Sequence, residues 1–296
     1  MLLDPSEFQR TRALLLEADL DTLSAAMTRL HFGELPETLP HELRDRLEKL
    51  GWIDPGTGAL SERGWFAADC CREYHFWTER NHRLPFETEA PDLARDAFRG
   101  KSVLEVGCGS GTNLMSLNDT TREIVGLEPL GIYRQIGTIF AEAHGVTDYH
   151  VKAGSAEAIP FPDGRFDVVV CVTAHQYFNI GPALTEIARV LRNGGEAIVI
   201  GCTLRPYLWG GLRASLGGSL REVRSHVVTA VNTLSYMALR RRILIGSSKW
   251  TTAYPVYPSR RTICGLMKEA GLRVHEVRSI YPETCFRARK QRPRHH

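Results

Sequence analysis

Val103-Leu104-Glu105-Val106-Gly107-Cys108-Gly109-Ser110-Gly111-Thr112-Asn113 is an apolar, strand-like run that enters a glycine-rich turn and then opens a helix. A strand of this composition is buried on both faces, as in a parallel sheet. Glycines at 107, 109 and 111 let the backbone turn sharply and approach a ligand at a helix N-terminus, on the carboxyl edge of that sheet. A dinucleotide fingerprint wants its third glycine at position 112, where Thr112 stands, so nicotinamide binding is disfavoured. About twenty residues on, a second run ends Val125-Gly126-Leu127-Glu128 and sets a carboxylate where it can accept both hydroxyls of a ribose. The alternative for Glu128 is a solvated acid at a strand end.

Working outward, Ser102 to Val106, Ile124 to Leu127, Phe166 to Thr173 and Ala197 to Gly201 read as buried strands alternating with helical stretches. That order predicts a doubly wound, Rossmann-like α/β sheet between Lys101 and about Gly201. Residues 1–98 read as a mainly helical region that serves the acceptor pocket or dimerisation. Within it Leu43, Leu47 and Leu50 make one apolar stripe, and Trp52 and Ile53 lead through the Asp54 to Gly58 turn cluster to Ala59 and Leu60, a winged-helix pattern. Its would-be recognition helix balances Arg44, Arg46 and Lys49 against Glu42, Asp45 and Glu48, so no nucleic acid is expected as a partner. Residues 99–296 form the second expected domain, interrupted by a helical insertion at 203–258 after the fourth recognised strand. In the insertion Leu220, Val223, Val227, Val231, Leu234 and Ala238 recur three or four apart, which predicts a long amphipathic helix. Ser259 to Gly271 then reads as a helix and Leu272 to Ile280 as a returning strand.

The 296 residues are 43% hydrophobic and 24% charged with a net charge of +3, the make-up of an ordinary soluble globular protein. The basic surplus is local, in Arg240 to Arg242 and in the tail Arg287, Arg289, Lys290, Arg292 and Arg294, which reads as solvated. Seven scattered cysteines without a CxxC pair or a His at ligand spacing argue against a metal site and for reduced thiols in a cytoplasmic protein. No secretory leader and no apolar run of about 18 residues is apparent, so a membrane span is not expected.

The chain resembles the class I S-adenosylmethionine-dependent methyltransferase family through four ordered blocks over about a hundred residues. They are the glycine turn, the strand ending at Glu128, Gly154-Ser155-Ala156-Glu157-Ala158-Ile159-Pro160-Phe161-Pro162-Asp163-Gly164-Arg165-Phe166-Asp167, and Glu186-Ile187-Ala188-Arg189-Val190-Leu191-Arg192-Asn193-Gly194-Gly195-Glu196. The resemblance implies S-adenosylmethionine as cofactor and S-adenosylhomocysteine as product. It places Glu105, Gly107, Gly109, Gly111 and Asn113 at the methionine and ribose parts, Glu128 and Pro129 at the ribose, and Ser155 and Ala156 at the adenine, with Ile159 packing nearby and Val172 completing the set. Ser155 stands where the family often has Asp, and an uncharged hydroxyl accepts the weaker hydrogen bond, which implies modest affinity. His75-Phe76-Trp77-Thr78-Glu79-Arg80-Asn81 resembles the helical arm that closes over the cofactor, where Arg80 either meets the cofactor carboxylate or stays solvated.

On the acceptor side, Thr173-Ala174-His175-Gln176-Tyr177-Phe178-Asn179 follows the fourth strand. His175 and Tyr177 are the catalytic candidates as general bases, and each has the alternative of simply packing. Tyr207, Leu208, Trp209, Tyr236, Met237, Trp250, Tyr254 and Tyr257 give the insertion an apolar supply suited to a small, fairly hydrophobic acceptor, or to its own core. The expectation is methyl transfer to such an acceptor, O-methylation slightly favoured over C- or N-. Two rivals stay open: a relative catalysing a cyclisation or other non-methylating reaction, and a winged-helix regulator. A homodimer and peripheral membrane contact are both compatible with the sequence.

Overall fold

The computed structural model describes residues 1–35, 38–215, 220–244, 254–280 and 282–291, without the side chains of 210–222. Trp250, Arg292, Arg294 and the Leu220 side chain lie outside the described residues.

Four helices open the chain: α1 (Pro5–Glu17), α2 (Leu20–His31), α3 (His41–Lys49) and α4 (Glu62–Glu79). Helix α1 starts on a capping box, Asp4 accepting from the backbone of Ser6 and Glu7 while Glu7 reaches back to the Asp4 N–H. Seven strands follow: β1 (Ser102–Val106), β2 (Glu123–Leu127), β3 (Val151–Lys152), β4 (Phe166–Val172), β5 (Leu191–Gly201), β6 (Leu272–Ile280) and β7 (Glu283–Lys290). They form one sheet in the order β3-β2-β1-β4-β5-β7-β6. The pairs β2–β3, β1–β4 and β4–β5 are parallel, whereas β7 runs antiparallel to both β5 and β6. Helices α5 (Thr112–Leu117), α6 (Gly131–Ala143) and α7 (Ile180–Val190) connect the parallel strands, so the expected doubly wound α/β fold with a helical N-terminal region is present.

The sequence reading differs at five places. Strand β3 is only two residues long, too short to leave a periodic signal. Strand β5 begins at Leu191 rather than Ala197, with a register shift against β4 between Phe166 and Val168. The expected wing shrinks to a single antiparallel bridge, Ile53 to Leu60, around a turn in which Asp54 accepts from the backbone of Gly56 and Thr57.

The largest difference is the basic tail. Arg287, Arg289 and Lys290 belong to β7, an interior strand of the sheet rather than a solvated extension. Arg287 pairs with Glu196 at 2.8 Å and with Glu276 at 3.0 Å, and Lys290 donates to the Leu191 carbonyl at 2.7 Å. Cys285, Phe286 and Ala288 of the same strand are buried.

By contact density the chain forms two compact units. The first comprises Met1–Arg99, Cys108–Thr120 and Ile124–Ala153; the second comprises Gly100–Gly107, Thr121–Glu123 and Gly154–His296. In the first unit the apolar faces of α1, α2, α4 and α6 share one core around Leu15, Met27, Leu47, Trp52, Cys71 and Phe140. In the second unit the insertion contributes α8 (Leu204–Ser215) and α9 (Leu220–Leu239), followed by α10 (Arg260–Glu269), which Ser259 caps.

Helix α9 has the expected length but not the expected buried face. Val227 is 56% and Leu234 58% exposed, whereas Thr229, Asn232, Thr233 and Tyr236 are buried. The polar row is inside because it supplies partners to irregular backbone. Asn232 accepts from the N–H groups of Ile243 and Leu244 and donates to the Leu244 carbonyl, and the Thr233 hydroxyl accepts from the Tyr257 N–H.

Candidate functional site

In the first unit two carboxylates hold the glycine turn. Glu128 follows β2 and is 7% exposed; its Oε2 accepts the Gly109 N–H at 3.2 Å and its Oε1 accepts the Leu130 N–H at 2.9 Å. Burial lifts its carboxyl to about 7, against the opposing pull of those two hydrogen bonds. The second carboxylate, Glu73 of α4, was not singled out by the sequence reading. It accepts from the Ser110 N–H at 2.8 Å and from the Ser110 hydroxyl at 2.6 Å. Gly109 has φ +56, and a Cβ there would lie 2.6 and 2.7 Å from the two Glu73 oxygens, so only glycine admits this approach. Burial and the neighbouring Asp69 raise the Glu73 carboxyl, with Arg72 opposing. Asp69 in turn accepts from Arg72 Nε at 2.8 Å and from the Tyr133 hydroxyl at 2.5 Å.

A signal for Glu73 does exist in the sequence. It shares an i, i+4, i+7, i+11 stripe with Phe66, Cys70 and Trp77, all three buried, so an acid stands in an apolar row of α4. Its partner lies 37 residues away in sequence. Of the other expected cofactor residues in this unit, Asn113 is half-buried on α5 and Pro129 is exposed. Arg80 caps the C-terminus of α4, half-buried, its Nε without a partner among the described residues and its guanidinium pKa lowered by burial.

These residues fit a nucleoside with a diol. Each Glu128 oxygen accepts one backbone N–H and keeps a further lone pair, so the carboxylate can take hydroxyl donors without giving up its hold on the turn.

In the second unit Glu105 is buried on β1, and Gly107 continues that strand with φ +73. A Cβ at Gly107 would sit 2.5 Å from Ala174 Cβ and 3.1 Å from the Phe178 ring, so the segment after β4 is packed against the first turn glycine. Val172, half-buried, ends β4, and the segment begins with Thr173, whose φ of +52 is strained for a β-branched residue.

His175 is 3% exposed and does not have the surroundings expected of a base. Its ring lies against Gly201, where a Cβ would come within 2.4 Å of Cε1, and it lines a small apolar space with Cys171, Phe178 and Ile263. Neither ring nitrogen has a hydrogen-bond partner among the described residues. Burial pushes the imidazole down to about 4, against a smaller opposing pull from the Cys202 backbone. Tyr177, in the same segment, is 44% exposed.

Ser155 is exposed and bridges to Ala158, while Ala156 and Ile159 are buried. The loop they open is fastened to α7 by Arg189. This guanidinium donates to the Ile159 and Phe161 carbonyls at 2.8 Å each and to Asp163 and Glu186 at 2.7 Å, and Glu186 accepts the Ile159 N–H at 2.8 Å. The block containing Arg189 was legible as a motif; its role as a staple was not.

The insertion's aromatics divide. Tyr236 is buried and accepts the Gly181 N–H at 3.1 Å. Tyr207 stacks on Tyr257 with centroids 4.4 Å apart, Met237 and Tyr254 are half-buried, and Leu208 and Trp209 are exposed. A cleft of about 860 Å³ opens beside them, bounded by Thr203, the first turns of α8, and Ser259 and Arg260 at the start of α10. Among the described residues no group of three or more His, Cys, Asp or Glu could hold a metal ion, and no helix is long and apolar enough to cross a membrane.

Residues 104–199 match the family model described as a methyltransferase domain. The chain is 40% identical over 106 residues to a fatty-acid O-methyltransferase of Mycolicibacterium smegmatis, covering 34% of this chain and 37% of that protein. It is 32% identical over 157 residues to phthiotriol/phenolphthiotriol dimycocerosates methyltransferase 1 of Mycobacterium ulcerans, covering 49% of this chain and 55% of that one. The matches thus span between about a third and just over half of these relatives. Among solved structures, a chain from the Haloferax volcanii complex of the Trm112 methyltransferase activator with a methyltransferase superposes with a TM-score of 0.54 at 18% identity, covering 77% of this chain and 98% of that one, a likeness of fold. Glycine turn, strand-end acid, sheet order and family match agree: the chain carries a class I S-adenosylmethionine-dependent methyltransferase domain.

Proposed function

We propose that the chain transfers a methyl group from S-adenosylmethionine to a small, fairly hydrophobic organic acceptor, at oxygen in preference to carbon or nitrogen. The observation that carries this reading is the Glu128 carboxylate seated on the Gly109 N–H at the glycine turn. The relatives named for a fatty acid and for phthiotriol dimycocerosates support an apolar acceptor.

Bound S-adenosylmethionine supplies an electrophilic methyl on a sulfonium. Glu128 and Pro129 hold the ribose, and Glu105, Gly107, Gly109, Gly111 and Asn113 lie along the methionine and ribose. Ser155, Ala156 and Val172 serve the adenine side and the pocket wall. Glu73 keeps the turn in shape through Ser110, and Arg80 is the cation available to the cofactor carboxylate. Residues 203–258 line the acceptor site, and residues 1–98 serve the acceptor pocket or a dimer contact. Methyl transfer depends chiefly on alignment of nucleophile, methyl and sulfur, so a base is needed only for an acceptor that must lose a proton. His175 then acts as a wall, because an imidazole at about 4 is a poor base, and Tyr177 is the exposed candidate for that task.

The test is turnover with labelled cofactor against a panel of apolar alcohols and acids. Label in the acceptor with stoichiometric S-adenosylhomocysteine supports the reading; a transformed acceptor without S-adenosylhomocysteine would assign a non-methylating reaction.

A further inference from the structure

We propose that the cleft between the start of α8 and the N-terminus of α10 binds a long-chain carboxylate, its chain along Leu204, Leu208 and Trp209 and its head on Arg205 and Arg260. The volume of about 860 Å³ suits a single small-molecule ligand. Leu208 is 50% and Trp209 57% exposed, so large apolar side chains stand in water at the rim.

The charged groups among the described residues of the cleft have one sign. Arg205 and Arg260 line it, and no carboxylate is among its described lining residues. Arg260 is oriented by two neutral hydroxyls, its Nε donating to Thr284 and its Nη2 to Ser279, each at 3.2 Å. Those bonds fix the fork without neutralising it, and neither arginine makes an ion pair with a described residue. Ser259 caps α10, so the positive end of that ten-residue helix faces the same place. A planar, two-oxygen head matches the remaining edge of a guanidinium. A neutral amphiphile would leave both cations without a partner, and a short anion would leave the apolar wall wet.

That the bound acid is also the methyl acceptor rests on the methyl-transfer reading; its binding does not. In that reaction a carboxylate oxygen forms the bond to the methyl carbon as the carbon–sulfur bond breaks, the electron pair leaving with sulfur. A carboxylic acid is already ionised near neutral pH, so no proton is moved, in keeping with the burial of His175.

Dodecanoate, octanoate and dodecanol, each below its aggregation limit, are titrated into the cofactor-free protein by calorimetry and by tryptophan fluorescence. One dodecanoate per chain is expected, with octanoate and dodecanol each at least about tenfold weaker. Arg205→Gln and Arg260→Gln are each expected to weaken dodecanoate about tenfold, and Arg261→Gln, outside the cleft, to leave it unchanged. If Arg260→Gln fails to fold by circular dichroism, Arg205→Gln carries the comparison. Equal binding of dodecanol and dodecanoate, or full affinity in Arg205→Gln, overturns the proposal. Binding of dodecanoate without methyl ester formation when cofactor is added overturns only its assignment as acceptor, while the turnover panel tests methyl transfer separately.

Discussion

In the proposed cofactor site Glu128 is expected to couple binding to pH. Its carboxyl stands at about 7 rather than near 4.5, so the folded chain carries a proton there that the unfolded chain has lost between those values. Stability therefore declines as pH rises through that window and levels off above about 7. A ribose diol needs the ionised form as acceptor, so binding below pH 7 releases a proton. Affinity for S-adenosylhomocysteine is expected to fall about tenfold per pH unit below 7 and to be flat above it. Calorimetry at several pH values in buffers of different ionisation enthalpy measures both the slope and the proton. The groups that modulate this are Glu73, which raises the carboxyl further, and Arg134, which lowers it. His175 makes the complementary case. His175→Asn is expected to keep kcat within a few-fold with no limb near pH 6.5 in either protein, while thermal unfolding shows a loss of stability from the disturbed packing over Gly201. A limb near 6.5 that disappears in the variant would make His175 a base after all.

Among the elements, the β1–turn–α5 unit was legible in the sequence because everything that specifies it is local: a short buried strand, three glycines with positive φ, and a helix start. The staple between the Ser155 loop and α7 was not, because Arg189 reaches carbonyls 28 and 30 residues away, a pairing that only the tertiary fold defines. Arg189→Ala is expected to destabilise the protein by about 2 kcal/mol, the scale of losing charge-assisted hydrogen bonds to partly buried carbonyls. It should weaken cofactor binding through the loop proposed for the adenine without changing the acceptor KM, which denaturant melts, cofactor titration and acceptor kinetics together check. Strand β7 was missed because its cations dominated its composition. Arg287 is matched across the sheet by Glu196 and Glu276, and the apolar Cys285, Phe286 and Ala288 carry the burial. In α9 the apolar periodicity was real but marked the exposed face, because the buried face was chosen by the hydrogen-bonding needs of neighbouring backbone.

At the scale of the whole molecule, the family match covers 104–199. Glu73 brings the N-terminal helices to the glycine turn, and the second unit carries the cleft with its two arginines. The methyl-transfer reading stands on the turn and Glu128 forming a cofactor site, whereas binding in the cleft is independent of it. Isothermal titration of S-adenosylhomocysteine into the wild-type chain and into Glu128→Ala at pH 8, with folding checked by circular dichroism, tests it most directly. One site per chain, weakened in the variant by about 1.5 to 3 kcal/mol, is the expected result. Undiminished affinity in a folded Glu128→Ala would contradict it.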